Sequence, residues 1–175
     1  TIQIMNDNTK YKLAKSVFLI GFMGAGKTTA ARNLAKLCGQ SSLDLDIFLK
    51  RNLGISAGDL LRTQGEEVMR TRETEMLKEA VKLPPQFISC GGGIVETPEN
   101  IEILRDKGYV VYLKISTQEA HDRITNFSNR PLFKDVKNAE ELHLSRLSKY
   151  DDCAHASVEV SGLSSFATAE KIKKI

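Results

Sequence analysis

Eight consecutive residues, GFMGAGKT at positions 21–28, fit the pattern G-x-x-x-x-G-K-[ST]. Glycines at 21, 24 and 26 let the backbone curl until successive N–H groups point inward at phosphate oxygens. Lys27 is then placed to reach the terminal phosphates of a nucleotide, and the Thr28 hydroxyl to hold Mg²⁺. Gly24, Ala25, Gly26, Lys27, Thr28 and Thr29 are therefore the candidate nucleotide-binding residues. The motif needs a strand before it and a helix after it. The apolar run SVFLIG and the helical spacing of residues 27–37 supply both.

A second cluster is SSLDLD, which puts Asp44 and Asp46 at the carboxyl end of a short strand, where open α/β sheets bind ligands. A side-chain period of two turns both carboxylates to one side. One can hold magnesium through water. The other can orient a substrate hydroxyl or take its proton. Alone the pair is weak evidence, because Asp46 ahead of IFLKRN also reads as a helix N-cap.

Arginine suits carboxylates and phosphates through its planar fork. Arg70 lies in a helical pattern, with Arg72 two residues on and facing away. Arg130 stands beside Pro131 in the polar, aperiodic stretch 126–137, a loop length typical of a functional lid. There it can stabilise charge on a transferring phosphoryl group. Arg146 begins R-x-x-x-Y, ending at Tyr150. Gly91, Gly92 and Gly93 permit close backbone approach to a ligand. The three histidines show no ligand spacing and read as surface or packing residues.

These groups need a scaffold, and the pattern predicts one. Short apolar runs alternate with helical segments, which argues βαβ units and a parallel sheet. Strands are expected at 16–21, 42–45, 86–90, 109–115 and 155–160. Helices are expected at 27–37, 56–64 (capped by Ser56), 66–82, 98–106 (opened by Thr97), 117–125, 140–152 and 167–175. The 175 residues read as one domain, with the lid near 126–137 and a substrate-binding helical region near 46–82. A formal charge of +3 is too small to argue for nucleic acid, and the longest apolar run is only a strand's length. Three scattered cysteines without a CxxC pair favour a reducing, cytoplasmic setting over disulfides or zinc. The amino terminus lacks the apolar core of a signal peptide and starts with Thr, as a processed or excised piece of a longer chain would. No N-K-x-D is present, which leaves guanine recognition of the usual kind unsupported.

Six motifs in order resemble the shikimate kinase family over roughly residues 15–160. They are the P-loop at 21–28, Asp44 with Asp46, Gly65-Glu66 with Arg70 and Glu73, the triple glycine 91–93, Arg130-Pro131-Leu132, and Arg146 with Tyr150 and Ala154. The resemblance implies a nucleoside-monophosphate-kinase-like P-loop fold, with a five-stranded parallel sheet between helical layers and a mobile lid. It implies transfer of the γ-phosphoryl of ATP to the 3-hydroxyl of shikimate. It also implies roles: Lys27 and Arg130 on ATP phosphates, Thr28 with Asp44 on Mg²⁺, and Asp46 on the reacting hydroxyl. Arg70 and Arg146 would clamp the substrate carboxylate, Gly92 and Gly93 would present backbone to the ring, and Arg123 would stack on adenine. The catalytic set is thus Lys27, Asp46 and Arg130.

Two positions depart from the family pattern. Leu61 and Met69 stand where phenylalanines that wall the substrate pocket are common. CGGGIVE with the unusual amino terminus is similar to the kinase segment of multifunctional aromatic-pathway proteins, and a monomer or a domain of such a chain is expected. Two alternatives stay open: a kinase for another small hydroxy acid such as gluconate, and a catalytically silent nucleotide-binding homologue.

Overall fold

Five strands, Ser16–Ile20 (β1), Ser42–Asp44 (β2), Phe87–Ser89 (β3), Gly108–Lys114 (β4) and Ala156–Glu159 (β5), form one parallel sheet in the order β2-β3-β1-β4-β5. The structure is a computed structural model and describes residues 12–124 and 135–175. The central strand β1 pairs with β3 on one side and β4 on the other, Val17 lying opposite both Phe87 and Tyr109. All five residues of β1 are buried, as a strand covered on both faces requires.

Alternation along β1 divides the core. Val17 and Leu19 pack on helix Lys27–Cys38 (α1) and helix Ser165–Lys173 (α8), through Ala30, Leu34, Ala169 and Ile172. Phe18 and Ile20 point to the other face. There they meet helix Glu66–Ala80 (α4) through Leu77, helix Pro98–Lys107 (α5) through Leu104, and helix Val136–Cys153 (α7) through Tyr150 and Cys153. A third, smaller cluster of Leu49, Leu60, Met69 and Met76 joins α4 to helices Leu45–Leu53 (α2) and Ala57–Gln64 (α3). Helix Thr117–Arg123 (α6) completes the described α-helices, and a 3-10 turn, Ile94–Glu96, follows β3. Cys38, Cys90 and Cys153 are all buried and unpaired.

Most predicted elements recur within a few residues of their expected ends, and the differences have local causes. β2 stops at Asp44 because that residue's side chain caps α2, a helix starting one residue later. Asp46 is therefore not the cap. It also does not share a strand with Asp44, so the period-of-two reason for their common direction fails. Thr97 precedes Pro98 at the first helical position, yet its side chain makes no capping hydrogen bond. α7 begins at Val136 behind an Asp135 cap, so the last two residues of the presumed lid are helical. Residues 126–134 of that lid, Arg130 included, lie outside the described residues.

One close approach fixes how β4 meets β1. A Cβ on Gly108 would stand 2.6 Å from the Ser16 carbonyl oxygen and collide with the Phe18 ring. Gly108→Ala should cost about 1–3 kcal/mol of stability through overpacking. In a denaturant titration this would lower the midpoint at constant slope; an unchanged midpoint would refute the reading.

Candidate active site

The loop after β1 turns on two left-handed residues, Gly24 (φ 86°) and Gly26 (φ 85°). Any side chain at Gly24 would also run into the Ala120 carbonyl of α6. The loop ends at the start of α1, whose N-cap Gly26 offers no side-chain hydrogen bond. The first N–H groups of α1 are thus aimed at the loop's concave side, an arrangement that favours anions. Lys27 is 8% exposed, and its Nζ donates to the carbonyls of Gly21 (2.7 Å) and Phe22 (2.9 Å).

Asp44 links this loop to the next strand–helix junction. Its Oδ2 accepts from Thr28 Oγ1 at 2.6 Å. Its Oδ1 accepts from the backbone N–H groups of Asp46 (2.9 Å) and Ile47 (3.1 Å). Ser89, at the end of β3, brings its hydroxyl within 3.1 Å of Thr28 Oγ1. Thr28, Asp44 and Ser89 make a compact set of hard oxygen donors, the type that suits magnesium. Among the described residues no three His, Cys, Asp or Glu side chains converge on a metal.

Asp46 sits in the first turn of α2, exposed toward the cavity. Its Oδ1 comes within 3.2 Å of where a side chain on Gly91 would begin, and Glu73 Oε2 within 3.6 Å of the same point. Arg70 fills the corresponding space at Gly93, its Cζ 2.7 Å away, and Arg146 Nη1 lies 3.6 Å from that of Gly92. None of these three glycines has a positive φ. Room, not conformation, requires the glycine at 93, and space at 91 and 92 is tight, the nearest atoms being Asp46 Oδ1 at 3.2 Å and Met23 N at 3.3 Å. The Tyr150 hydroxyl donates to the Gly92 carbonyl at 2.6 Å and pins the turn to α7.

A cavity of about 970 Å³ connects these groups. Residues 23–29, Asp44, Asp46, Cys90, Gly91, Gly92 and Arg123 line it, with Ile47, Lys50 and residues 56–58 from the α2–α3 region. Ser89, Ile124, Leu163, Ser165 and Thr168 complete the lining. Arg123 Nη2 donates to Glu119 Oε1 (2.7 Å) and the carbonyls of Val160 (3.2 Å) and Leu163 (3.4 Å). Its Nη1 stays 3.8 Å from the side-chain position of Gly26. Arg70, Arg146 and Gly93 do not line the cavity but adjoin it, the two guanidinium groups lying against Gly93 and Gly92. Leu61 and Met69 do not line it either. They pack in the α2–α4 cluster, where two apolar side chains bury more surface than in a wet cleft.

The structure adds residues that the sequence reading left without a role. Glu73 is buried, and its carboxyl is pushed up by that burial against the pull of Arg70, whose Nη1 it binds at 3.1 Å. The charge of Asp46 pushes it up further. The i,i+3 spacing from Arg70 was its signal. Ser89 and Glu96 carried none. Cys90 lines the cavity, but complete burial pushes its thiol well above the usual range, so it is no nucleophile. His143 is a packing residue, stacked on Phe22 with centroids 4.2 Å apart and bonded to Thr117 Oγ1 at 2.8 Å.

Comparison with known proteins agrees with this geometry. The family model described as shikimate kinase matches residues 23–175. The shikimate kinase of Dehalococcoides mccartyi is 34% identical over 164 residues, 93% of each chain. That of Enterococcus faecalis is 38% identical, over 86% of this chain and 91% of its own. The shikimate kinase of Acinetobacter baumannii, solved in complex with shikimate, superposes with a TM-score of 0.87 at 32% identity, covering 91% of both chains. A gluconokinase from Sinorhizobium meliloti has a TM-score of 0.56 at 13% identity, a likeness of fold alone. On the strength of the matched length and identity, the chain belongs to the shikimate kinase family.

Proposed function

We propose that this chain transfers the γ-phosphoryl group of ATP to the 3-hydroxyl of shikimate, through the residues gathered at the triple-glycine turn. What supports the reading most is that convergence. A carboxylate (Asp46) and two guanidinium groups (Arg70, Arg146) surround three adjacent glycines, beside a loop shaped for phosphate. A small hydroxylated acid offers the complement: a carboxylate for the arginine pair and an alcohol for the aspartate.

In this reading the α1 N-terminus and the loop amides hold the β- and γ-phosphates. Lys27 exchanges its two carbonyl partners for phosphate oxygens, and Arg130 adds charge stabilisation from the lid near 126–137. Thr28 and Asp44 would hold Mg²⁺, with Ser89 behind them. Bound there, the ion neutralises charge developing on the phosphoryl oxygens. Asp46 accepts the proton side of the substrate hydroxyl and aims its oxygen in line with the terminal phosphorus. A P–O bond forms to that oxygen as the bridge to the β-phosphate breaks, ADP leaves, and the hydroxyl proton passes to Asp46 or solvent. Arg70 and Arg146 hold the carboxylate, with Gly92 and Gly93 against the ring. Arg123, already fixed by three acceptors, presents a flat face beside Gly26 for the adenine.

The direct test is ADP release with ATP, Mg²⁺ and millimolar shikimate; no shikimate-dependent release would end the proposal. A panel with gluconate and other hydroxy acids should show no comparable turnover. Lys27→Ala and Arg130→Ala should each lower kcat by about 10³-fold. Arg70→Ala should raise the shikimate KM at least about tenfold while leaving the ATP KM near wild type. Equal effects on both substrates would remove Arg70 from the carboxylate site. Asp44→Asn should raise the Mg²⁺ concentration needed for half-maximal rate, whereas Asp46→Asn should lower kcat at unchanged Mg²⁺ dependence. Magnesium titrations of the two variants separate the roles.

A further inference from the structure

The 3-10 turn Ile94–Glu96 follows the triple glycine directly and ends in a carboxylate. Glu96 is an acid with 22% of its side chain exposed, and it faces two cations of α7. Its Oε1 accepts from Lys149 Nζ at 3.1 Å and lies 3.5 Å from Arg146 Nε. The second contact is an ion pair without hydrogen-bond geometry. Arg146 is 5% exposed, and its Nη1 is buried with no hydrogen-bond partner. That nitrogen is also the one beside Gly92. A buried, charged donor left unsatisfied on one edge, with a carboxylate on the other edge, is an arrangement that costs stability unless something else uses it.

We propose that Glu96 is a positioning residue for substrate binding: by sitting on the Nε edge of Arg146, it turns the Nη end of the guanidinium toward the glycine turn and reserves it for the substrate carboxylate. The inference rests on the reading of Arg146 as a carboxylate clamp. Guanidinium has two edges that can take a carboxylate. An internal acid on one edge leaves only the other for a ligand. Lys149 holds Glu96 from the solvent side, and the Tyr150 bond to Gly92 fixes the same helix to the same turn.

Two effects of removing Glu96 oppose each other. Loss of its charge raises the local positive potential, which by itself would tighten an anionic substrate. Loss of orientation frees the guanidinium to rotate or to find another partner. Lys149 is 42% exposed, so its uncovered charge is largely screened by solvent. Arg146 is buried, so its misorientation is not relieved by water. The orientation effect therefore wins.

Glu96→Ala should raise the shikimate KM about tenfold, with kcat and the ATP KM within about twofold of wild type. Glu96→Gln keeps the length and an acceptor oxygen, so it should retain part of the wild-type affinity and guards against misfolding of the alanine variant. Adding Glu96→Ala to Arg146→Lys should have little further effect, because lysine has no fork to orient. An unchanged or lowered shikimate KM in Glu96→Ala, with Arg146→Ala still raising it, would overturn the inference and leave Glu96 a charge screen. A parallel rise in both KM values with a lower melting temperature would also overturn it, in favour of a purely structural role. If Arg146→Ala left the shikimate KM unchanged, the clamp reading itself would fall, and that outcome is separable from the others.

Discussion

The carboxylate of Asp44 ties together two loops that no backbone hydrogen bond requires to be neighbours. One oxygen takes the Thr28 hydroxyl at the start of α1, and the other takes two N–H groups at the start of α2. Two helix N-termini with their positive ends are thereby held side by side. The cap also decides where Asp46 goes. If Asp44 did not end the strand and begin the helix, the next carboxylate would continue along β2 and face the sheet's covering layer. The same side chain that can share a magnesium ion thus sets the position of the group assigned to the acceptor alcohol.

Space at the triple-glycine turn is the second constraint, and it is steric. Ordinary backbone angles at Gly91, Gly92 and Gly93 would allow other residues. At Gly93 a side chain would collide with the Arg70 guanidinium, while at Gly91 and Gly92 it would press on Asp46 Oδ1 (3.2 Å) and the Met23 N–H (3.3 Å). Buried charges need partners. Glu73 serves Arg70 as Glu96 serves Arg146, so each arginine beside the glycine turn carries one internal acid. A pair of unneutralised guanidinium groups at that depth would repel each other and be expensive to desolvate.

How much of this could be read from the chain depended on how local the cause was. The phosphate loop was legible because its motif, strand and helix occupy about twenty consecutive residues. The sheet was legible because β1 and β4 are continuous apolar runs. The Asp44–Asp46 pair was half legible: both were picked out, but a cap was weighed only for Asp46 while Asp44 makes it, since a three-residue strand gives too little alternation to fix its end. Thr97 looked like a cap by residue type, yet type alone does not put its hydroxyl in line with the N–H groups. Leu61 and Met69 were read as pocket walls by resemblance; in the structure Met69 belongs to the small α2–α4 core and Leu61 packs, partly buried, against it. Glu96 and Arg146 are separated by about fifty positions, and only folding brings them together.

The core clusters explain why the turn must be the meeting point. The phosphate loop and α1 rest on one face of the sheet, with α8. Arg146 is on α7, which packs with Tyr150 on the other face. Asp46 and Arg70 are on α2 and α4, elements that share a separate small core of Leu49, Leu60, Met69 and Met76. Each of these layers is internally well packed, so none can bend to meet the others. The loop leaving the carboxyl end of β3, next to the central strand, lies against residues of all three: Met23, Arg146, and Asp46 with Arg70. A loop in that place must be narrow enough for three layers to approach it, and at Gly93, where a Cβ would collide with the Arg70 guanidinium, that leaves no room for any side chain.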